Sequence, residues 1–271
     1  MKILSYISIL ISIILISACT ERQQNEAKLG IVTEEVDYES NGTTLKGFIA
    51  YDGDIQGKRP GVLIVHEWWG HNDYARKRAK MIAELGYTAL AVDMYGDGKQ
   101  ANHPDDAGKF AMNLFNNIDI AKARFEAGLN FLKAQPTTDP EKIAAIGYCF
   151  GGGVVLHMAR FGFDLDAVVS FHGALQTEHP AEPEKVKARL LVCNGEADPL
   201  TTPEQVEAFK KEMSEAGVDY KFINYPGAMH SFTNPIADSV GKKFNMPLAY
   251  NKEADEKSWA EMKALLEEVF N

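Results

Sequence analysis

Cys149 lies at the centre of Gly147-Tyr148-Cys149-Phe150-Gly151-Gly152, between two apolar stretches, 143–148 and 153–160. A nucleophile in Gly-x-Cys-x-Gly occupies a sharp strand-to-helix turn, where flanking side chains larger than glycine would collide with neighbouring strands. The helix behind the turn offers unpaired N–H groups and the positive end of its dipole, which favour a thiolate and an oxyanion alike. Taken alone, the same turn could equally hold a cysteine that only packs. Two further segments argue for chemistry: Asn194-Gly195-Glu196-Ala197-Asp198-Pro199 and Gly227-Ala228-Met229-His230-Ser231-Phe232. Each follows an apolar run, so nucleophile, carboxylate and histidine come in that order after successive strands. A histidine can take a thiol proton and later return it to a leaving group, and a carboxylate can orient the ring.

These residues need strand ends to carry them. Residues 31–38 and 44–51 are β-like runs joined by Asn41-Gly42, a hairpin signal. Residues 61–66, 88–92, 143–148, 167–171, 189–193 and 220–225 predict further strands, most of them continuously apolar and so buried on both faces. Helices are predicted over 74–85, along Ile118, Ala121, Phe125, Leu129 and Leu132, over 153–160, and at the C-terminus through Trp259, Met262, Leu266 and Val269. Another runs from Thr202 to Gly217, with Pro203 at its first position and Gln205 completing a capping box. Alternating strands and helices mean an α/β fold with a mostly parallel central sheet flanked by helices on both faces. Sites in such sheets sit at the carboxyl ends of the strands.

Composition excludes other classes. The chain has 271 residues, 45% apolar and 24% charged, and a formal charge of −10. That size suits one domain, and that charge repels nucleic-acid phosphates and gives no polybasic membrane patch. Three cysteines cannot make a disulfide framework. Cys193, after Leu190, Leu191 and Val192, reads as a small buried hydrophobe. His66 and His71 have no partners at zinc-ligand spacing, and no Gly-x-Gly-x-x-Gly follows a strand, so no metal or cofactor is expected. Asp105-Asp106 and the Glu/Lys-rich segment 252–257 read as solvated faces.

The N-terminus reads as an export signal. Lys2 precedes the apolar run Ile3 to Ile16, whose helical length of about 21 Å falls short of a bilayer core. Leu15-Ile16-Ser17-Ala18-Cys19 resembles the bacterial lipobox, which implies cleavage after residue 18 and lipidation of Cys19. The expected organisation is a signal over 1–18, a polar tether over 19–30 and a single domain over 31–271. The domain would then be lipid-anchored in a bacterial cell envelope, facing periplasm or exterior.

The order of Cys149, Asp198 and His230 is that of the α/β-hydrolase triad. Together with His66-Glu67-Trp68-Trp69-Gly70, Asp93-Met94-Tyr95-Gly96 and His230-Ser231-Phe232, it makes 31–271 resemble the dienelactone hydrolase family. The resemblance implies an α/β-hydrolase fold, Cys149 as nucleophile, His230 as general base and then acid, and Asp198 as its orienting partner. It also implies that Glu67 lies beside the cysteine and assists thiolate formation. The backbone N–H groups of Phe150 and Trp68 are the expected oxyanion hole. Trp69, Tyr95 and Phe232 are, with Trp68, candidate walls of an apolar pocket.

One departure bears on substrate. The family holds a substrate carboxylate with two arginines, one of them four residues after the catalytic histidine; here that position is Asn234, a candidate pocket residue. The other would fall in 96–117, where the basic side chains besides histidine are Lys99 and Lys109. The resulting expectation is a monomeric hydrolase of small-molecule esters or lactones acting through acyl-Cys149. A thioesterase or acyl-transfer enzyme on the same triad, and a non-catalytic ligand-binding lipoprotein, are the alternatives.

Overall fold

A computed structural model describes residues 29–271; the apolar segment 1–18, Cys19 and the tether as far as residue 28 lie outside the described residues. The tether was expected to run to Gly30. Instead, the Leu29 and Gly30 N–H groups donate to the Asp54 carboxylate at 2.7 and 3.2 Å, so these two residues already belong to the domain.

Among the described residues, eight strands form one sheet: β1 (Ile31–Ser40), β2 (Thr43–Asp52), β3 (Arg59–Val65), β4 (Thr88–Val92), β5 (Thr138–Tyr148), β6 (Ala167–Phe171), β7 (Arg189–Gly195) and β8 (Tyr220–Tyr225). Their order is β1-β2-β4-β3-β5-β6-β7-β8. The β1–β2 hairpin is antiparallel, and β2 joins β4 antiparallel; every pairing from β4 to β8 is parallel. Asn41 and Gly42 both have positive φ, 49° and 77°, as a two-residue hairpin turn requires.

The helices of the described residues are α1 (Asp73–Ala83), α2 (Pro104–Asn116), α3 (Ile118–Lys133), α4 (Phe150–Arg160), α5 (Pro203–Glu215), α6 (Ala237–Phe244) and α7 (Lys252–Phe270). Strand side chains alternate between two cores. Leu63, Val65, Leu90, Val92 and Val192 pack against α3, α4 and α5 on one face. Val62, Ile64, Ala89, Ala91 and Leu191 pack against α1 and α7 on the other. Each fully buried Leu, Ile or Val contributes roughly 1.5–3 kcal/mol, so the central strands act as a rigid platform. The expected capping box of α5 is present in both directions.

Two helices were not foreseen. α2 buries Ala107, Ala111 and Leu114, and α6 buries Ala237 and Gly241. Asp105 and Asp106 are the exposed first turn of α2, where carboxylates suit the helix dipole. The 252–257 segment needs a correction. It opens α7, and there Asp255 forms a 2.7 Å ion pair with the buried Arg78 rather than facing solvent freely.

Candidate active site

Cys149 directly follows β5 and is the N-cap of α4, with φ 53° and ψ −115°. A non-glycine residue held there costs about 1–3 kcal/mol and persists only where its surroundings enforce it. The surroundings do so by close approach. A Cβ on Gly147 would strike the Gly151 carbonyl oxygen, and one on Gly151 would strike that of Val65. A Cβ on Gly152 would lie 2.7 Å from Ser170 Oγ. The Gly151 N–H donates to His66 O at 3.1 Å, tying the start of α4 to the end of β3.

The loops after β7 and β8 bring Asp198 and His230 to this turn. His230 Nε2 lies 3.1 Å from Cys149 Sγ, and Nδ1 lies 2.7 Å from Asp198 Oδ2. The other Asp198 oxygen accepts the Leu200 N–H at 2.8 Å, which fixes the carboxylate's rotation. Nδ1–H therefore donates to Asp198, and Nε2 faces the sulfur. Burial disfavours the charged ring, but the Cys149 sulfur and the Asp198 carboxylate more than offset it and push the His230 pKa up to about 10.

The N–H groups of Trp68 and Phe150, the expected oxyanion donors, have no acceptor among the described residues. The Trp68 N–H belongs to a planar peptide whose carbonyl, Glu67 O, is 2.6 Å from His66 Nδ1 and also accepts from the Gly70 N–H at 3.1 Å. His66 is fully buried, and its Nε2 accepts the Met94 N–H at 3.2 Å, so its Nδ1–H is the donor. Tyr95 Oη donates to Trp68 O at 2.9 Å, fixing the next peptide. Asp93 holds that loop from beneath by accepting the N–H groups of Tyr95, Gly96, Gly98 and Lys46.

Glu67 is buried, but its hydrogen bonds do not go to Cys149. Its carboxylate accepts from Ser231 Oγ at 3.1 Å and from Asn234 Nδ2 at 2.7 Å. Burial raises its pKa, and the Asn234 and Ser231 donors only partly counter this. Asn234, expected in the substrate pocket, is therefore occupied with Glu67. The reason is local: the Asn234 N–H donates to Ser231 O, a turn that swings the amide back toward β3.

Two other pocket candidates also move. Phe232 is fully buried, its ring packed between those of His172 and Tyr225, and belongs to the core. Tyr95 is 4% exposed and packs on His66, Phe150 and Phe110, behind the loop that follows β3. Trp68 and Trp69 remain half-buried, edge to face with each other, with Trp69 stacked on Phe244. Cys193 is wholly buried in β7, as expected, and burial pushes its thiol up to about 12.

The sequence reading passed over a set of buried polar residues behind Cys149: His172, Thr233, Tyr74 and Arg78. His172 ends the apolar strand β6 as Phe171-His172-Gly173, and a histidine at the carboxyl end of a buried strand was a signal available in the sequence.

Comparison with known proteins places the fold. The description "Dienelactone hydrolase family" matches residues 45–270. Protein usf of Aquifex pyrophilus is 32% identical over 229 residues, spanning 80% of this chain and 97% of its own length. The crystal structure of a dienelactone hydrolase-like promiscuous phosphotriesterase from metagenomic libraries is 37% identical, with TM-score 0.84, over 89% of this chain and 100% of that one. The solved structure of m3DLH is 39% identical, with TM-score 0.85, over the same shares. By fold, by the extent of the match and by the order of its strand-end residues, the chain belongs to the dienelactone hydrolase family of α/β-hydrolases, enzymes acting on ester and lactone bonds.

Proposed function

We propose that this protein hydrolyses neutral carboxylic esters or lactones through an acyl-Cys149 intermediate. The observation that carries the reading is the line of contacts from Asp198 Oδ2 to His230 Nδ1 at 2.7 Å and from Nε2 to Cys149 Sγ at 3.1 Å. With His230 holding the thiol proton, the sulfur attacks the carbonyl carbon, and the oxygen that becomes anionic is received by the Trp68 and Phe150 N–H groups. Each such donor is typically worth about 3 kcal/mol in the transition state. The C–O bond breaks, and His230 returns its proton to the departing alcohol. His230 then takes a proton from water, whose oxygen attacks the thioester. The acid leaves, and the sulfur recovers its starting state.

Neutrality of the substrate follows from how the charged groups are spent. Asn234 donates to Glu67. Arg78, whose charge acts on Glu67, is spent on Asp255 and on Thr233 O, both at 2.7 Å. Neither Asn234 nor Arg78 is then free for a substrate carboxylate, which would approach a buried carboxyl group at a desolvation cost of several kcal/mol. Phosphotriesters satisfy the same requirement, and the structural relative named for that activity supports including them in a substrate panel.

We further propose that Cys19 carries a lipid and holds the domain at a bacterial membrane, a reading supported by Lys2, the Ile3–Ile16 run and Leu15 through Cys19. Two measurements test the whole. Wild type and Cys149→Ala are compared on short-chain esters, lactones and a phosphotriester, and activity retained by the alanine variant refutes the mechanism. The protein from a bacterial host is weighed for an acyl addition at Cys19, and a soluble chain without one refutes the anchor.

A further inference from the structure

The amide of the proposed nucleophile has two acceptors. The Cys149 N–H donates to Phe171 O at 3.0 Å and also to His172 Nδ1 at 3.1 Å. An acceptor Nδ1 leaves the His172 proton on Nε2, which lies 2.7 Å from Thr233 Oγ1. Thr233 stands three residues after His230, and its hydroxyl is also 2.7 Å from Tyr74 Oη. Tyr74 Oη in turn accepts from Arg78 Nε at 3.2 Å, and Arg78 grips both Thr233 O and Asp255 of α7 at 2.7 Å. His172 and Thr233 are wholly buried, so the polar atoms of these two side chains have no water as an alternative partner.

The backbone carries a second, independent sign. Cys149, His172 and Ser231 are non-glycine residues with positive φ, at 53°, 41° and 57°. They lie in three separate strand-end loops that meet at one point. Strain of this kind persists where surrounding contacts over-determine it. The ring of His172 also packs edge to face on those of His230 and Phe232 at 5.3 and 5.2 Å.

We propose that His172 is a positioning residue for the hydrolytic reaction: with Thr233 it locks the Cys149 turn to the His230 loop and so sets the distance from sulfur to imidazole. The inference rests on the reading of Cys149 as nucleophile. It requires a neutral ring, because a proton on Nδ1 would face the Cys149 N–H donor to donor. Burial, with His230 and Arg78 nearby, holds the ring in that state. The Phe171 carbonyl would still satisfy the Cys149 N–H without His172, so losing the ring would shift the turn rather than orphan its amide.

The test uses His172→Ala, His172→Asn, His172→Gln, Thr233→Val and the His172→Ala/Thr233→Val double variant. For each, kcat and KM are measured on a neutral ester, Cys149 alkylation by iodoacetamide is followed by peptide mass spectrometry, and the Tm is recorded. Asparagine can place an acceptor where Nδ1 stands; glutamine can place a donor near Nε2 but cannot reach Cys149. A displacement near 1 Å costs about 100-fold in rate. The alanine and glutamine variants should therefore lose about 10- to 100-fold in kcat with KM within about threefold, and Cys149 should alkylate more slowly. Asparagine should recover most of the kcat, and the double variant should be no slower than His172→Ala, because both act on one linkage. Wild-type kcat in folded His172→Ala, a loss that asparagine fails to rescue, or additive losses in the double variant would overturn the proposal. If His172→Ala does not fold, the asparagine–glutamine pair decides on the same criteria. Alkylation is read without reference to ester turnover, so a failed nucleophile assignment, seen as an active Cys149→Ala, is distinguishable from a failed role for His172.

Discussion

Replacing Asp198 by asparagine changes one atom and reverses the proton logic of the site. The Leu200 N–H points at Asp198 Oδ1 from 2.8 Å, so an asparagine there must turn its oxygen to that donor and its NH2 group toward His230 Nδ1. Nδ1 then has to accept, the ring proton moves to Nε2, and a proton on Nε2 faces the sulfur it should deprotonate. The flipped amide restores the useful tautomer but turns the NH2 group of a fully buried side chain against the Leu200 N–H, at about 1–3 kcal/mol, or roughly 5- to 150-fold in population. Exchanging a charge-assisted hydrogen bond to the imidazolium for a neutral one costs about another 1.4 kcal/mol, near tenfold. The product is a fall in kcat of about 10² to 10³. The assay is steady-state hydrolysis of a neutral ester by wild type and Asp198→Asn, with Tm as a control for folding. A kcat within about threefold of wild type in a folded variant would show that the carboxylate does not set the tautomer.

Three further outcomes follow from the same contacts. Gly151→Ala places a Cβ against the backbone oxygens of Val65 and His66 and should destabilise by about 3 kcal/mol or more, whereas Gly108→Ala, in open space on α2, should be neutral or stabilising by up to about 1 kcal/mol; denaturant midpoints compare them. The His230 pKa lies above its ordinary 6.5, at about 10, so its contribution to stability is complete below pH 6.5 and is lost as pH rises through about 10. Cys149→Ala removes the sulfur that helps raise it, and Tm measured across that window should fall less steeply than in wild type. On paired esters differing by one carboxylate, the neutral partner should have at least about tenfold higher kcat/KM, and a preference for the anion would reveal a cation reaching the site that the ion pairs described here do not provide.

The parallel strands were legible in the sequence because burial on both faces forces continuous apolar runs such as Val62 to Val65. α2 and α6 escaped because the faces they bury are largely Ala107, Ala111, Ala237 and Gly241, side chains too small to register as an apolar stripe. The identities at the strand ends were legible for the same topological reason: Cys149, Asp198 and His230 each follow a strand the pattern reveals. Direction within a loop was not. Asn234 and Phe232 flank the same turn as His230, yet one swings to Glu67 and the other into the core, because Ser231 takes up a positive φ that reverses the chain. Nor could spacing show that Asp255, among exposed charges at the start of α7, is the counter-ion of Arg78 on α1.

The central claim is a covalent bond to one sulfur. Wild-type protein mixed with a neutral short-chain ester, quenched in acid within milliseconds and digested for mass spectrometry, should carry the ester's acyl mass on the peptide containing Cys149 and none on that containing Cys193. Cys149→Ala should carry no acyl group and turn over no ester. Full ester hydrolysis by folded Cys149→Ala, with no acyl mass on the Cys149 peptide of the wild type, would contradict the account.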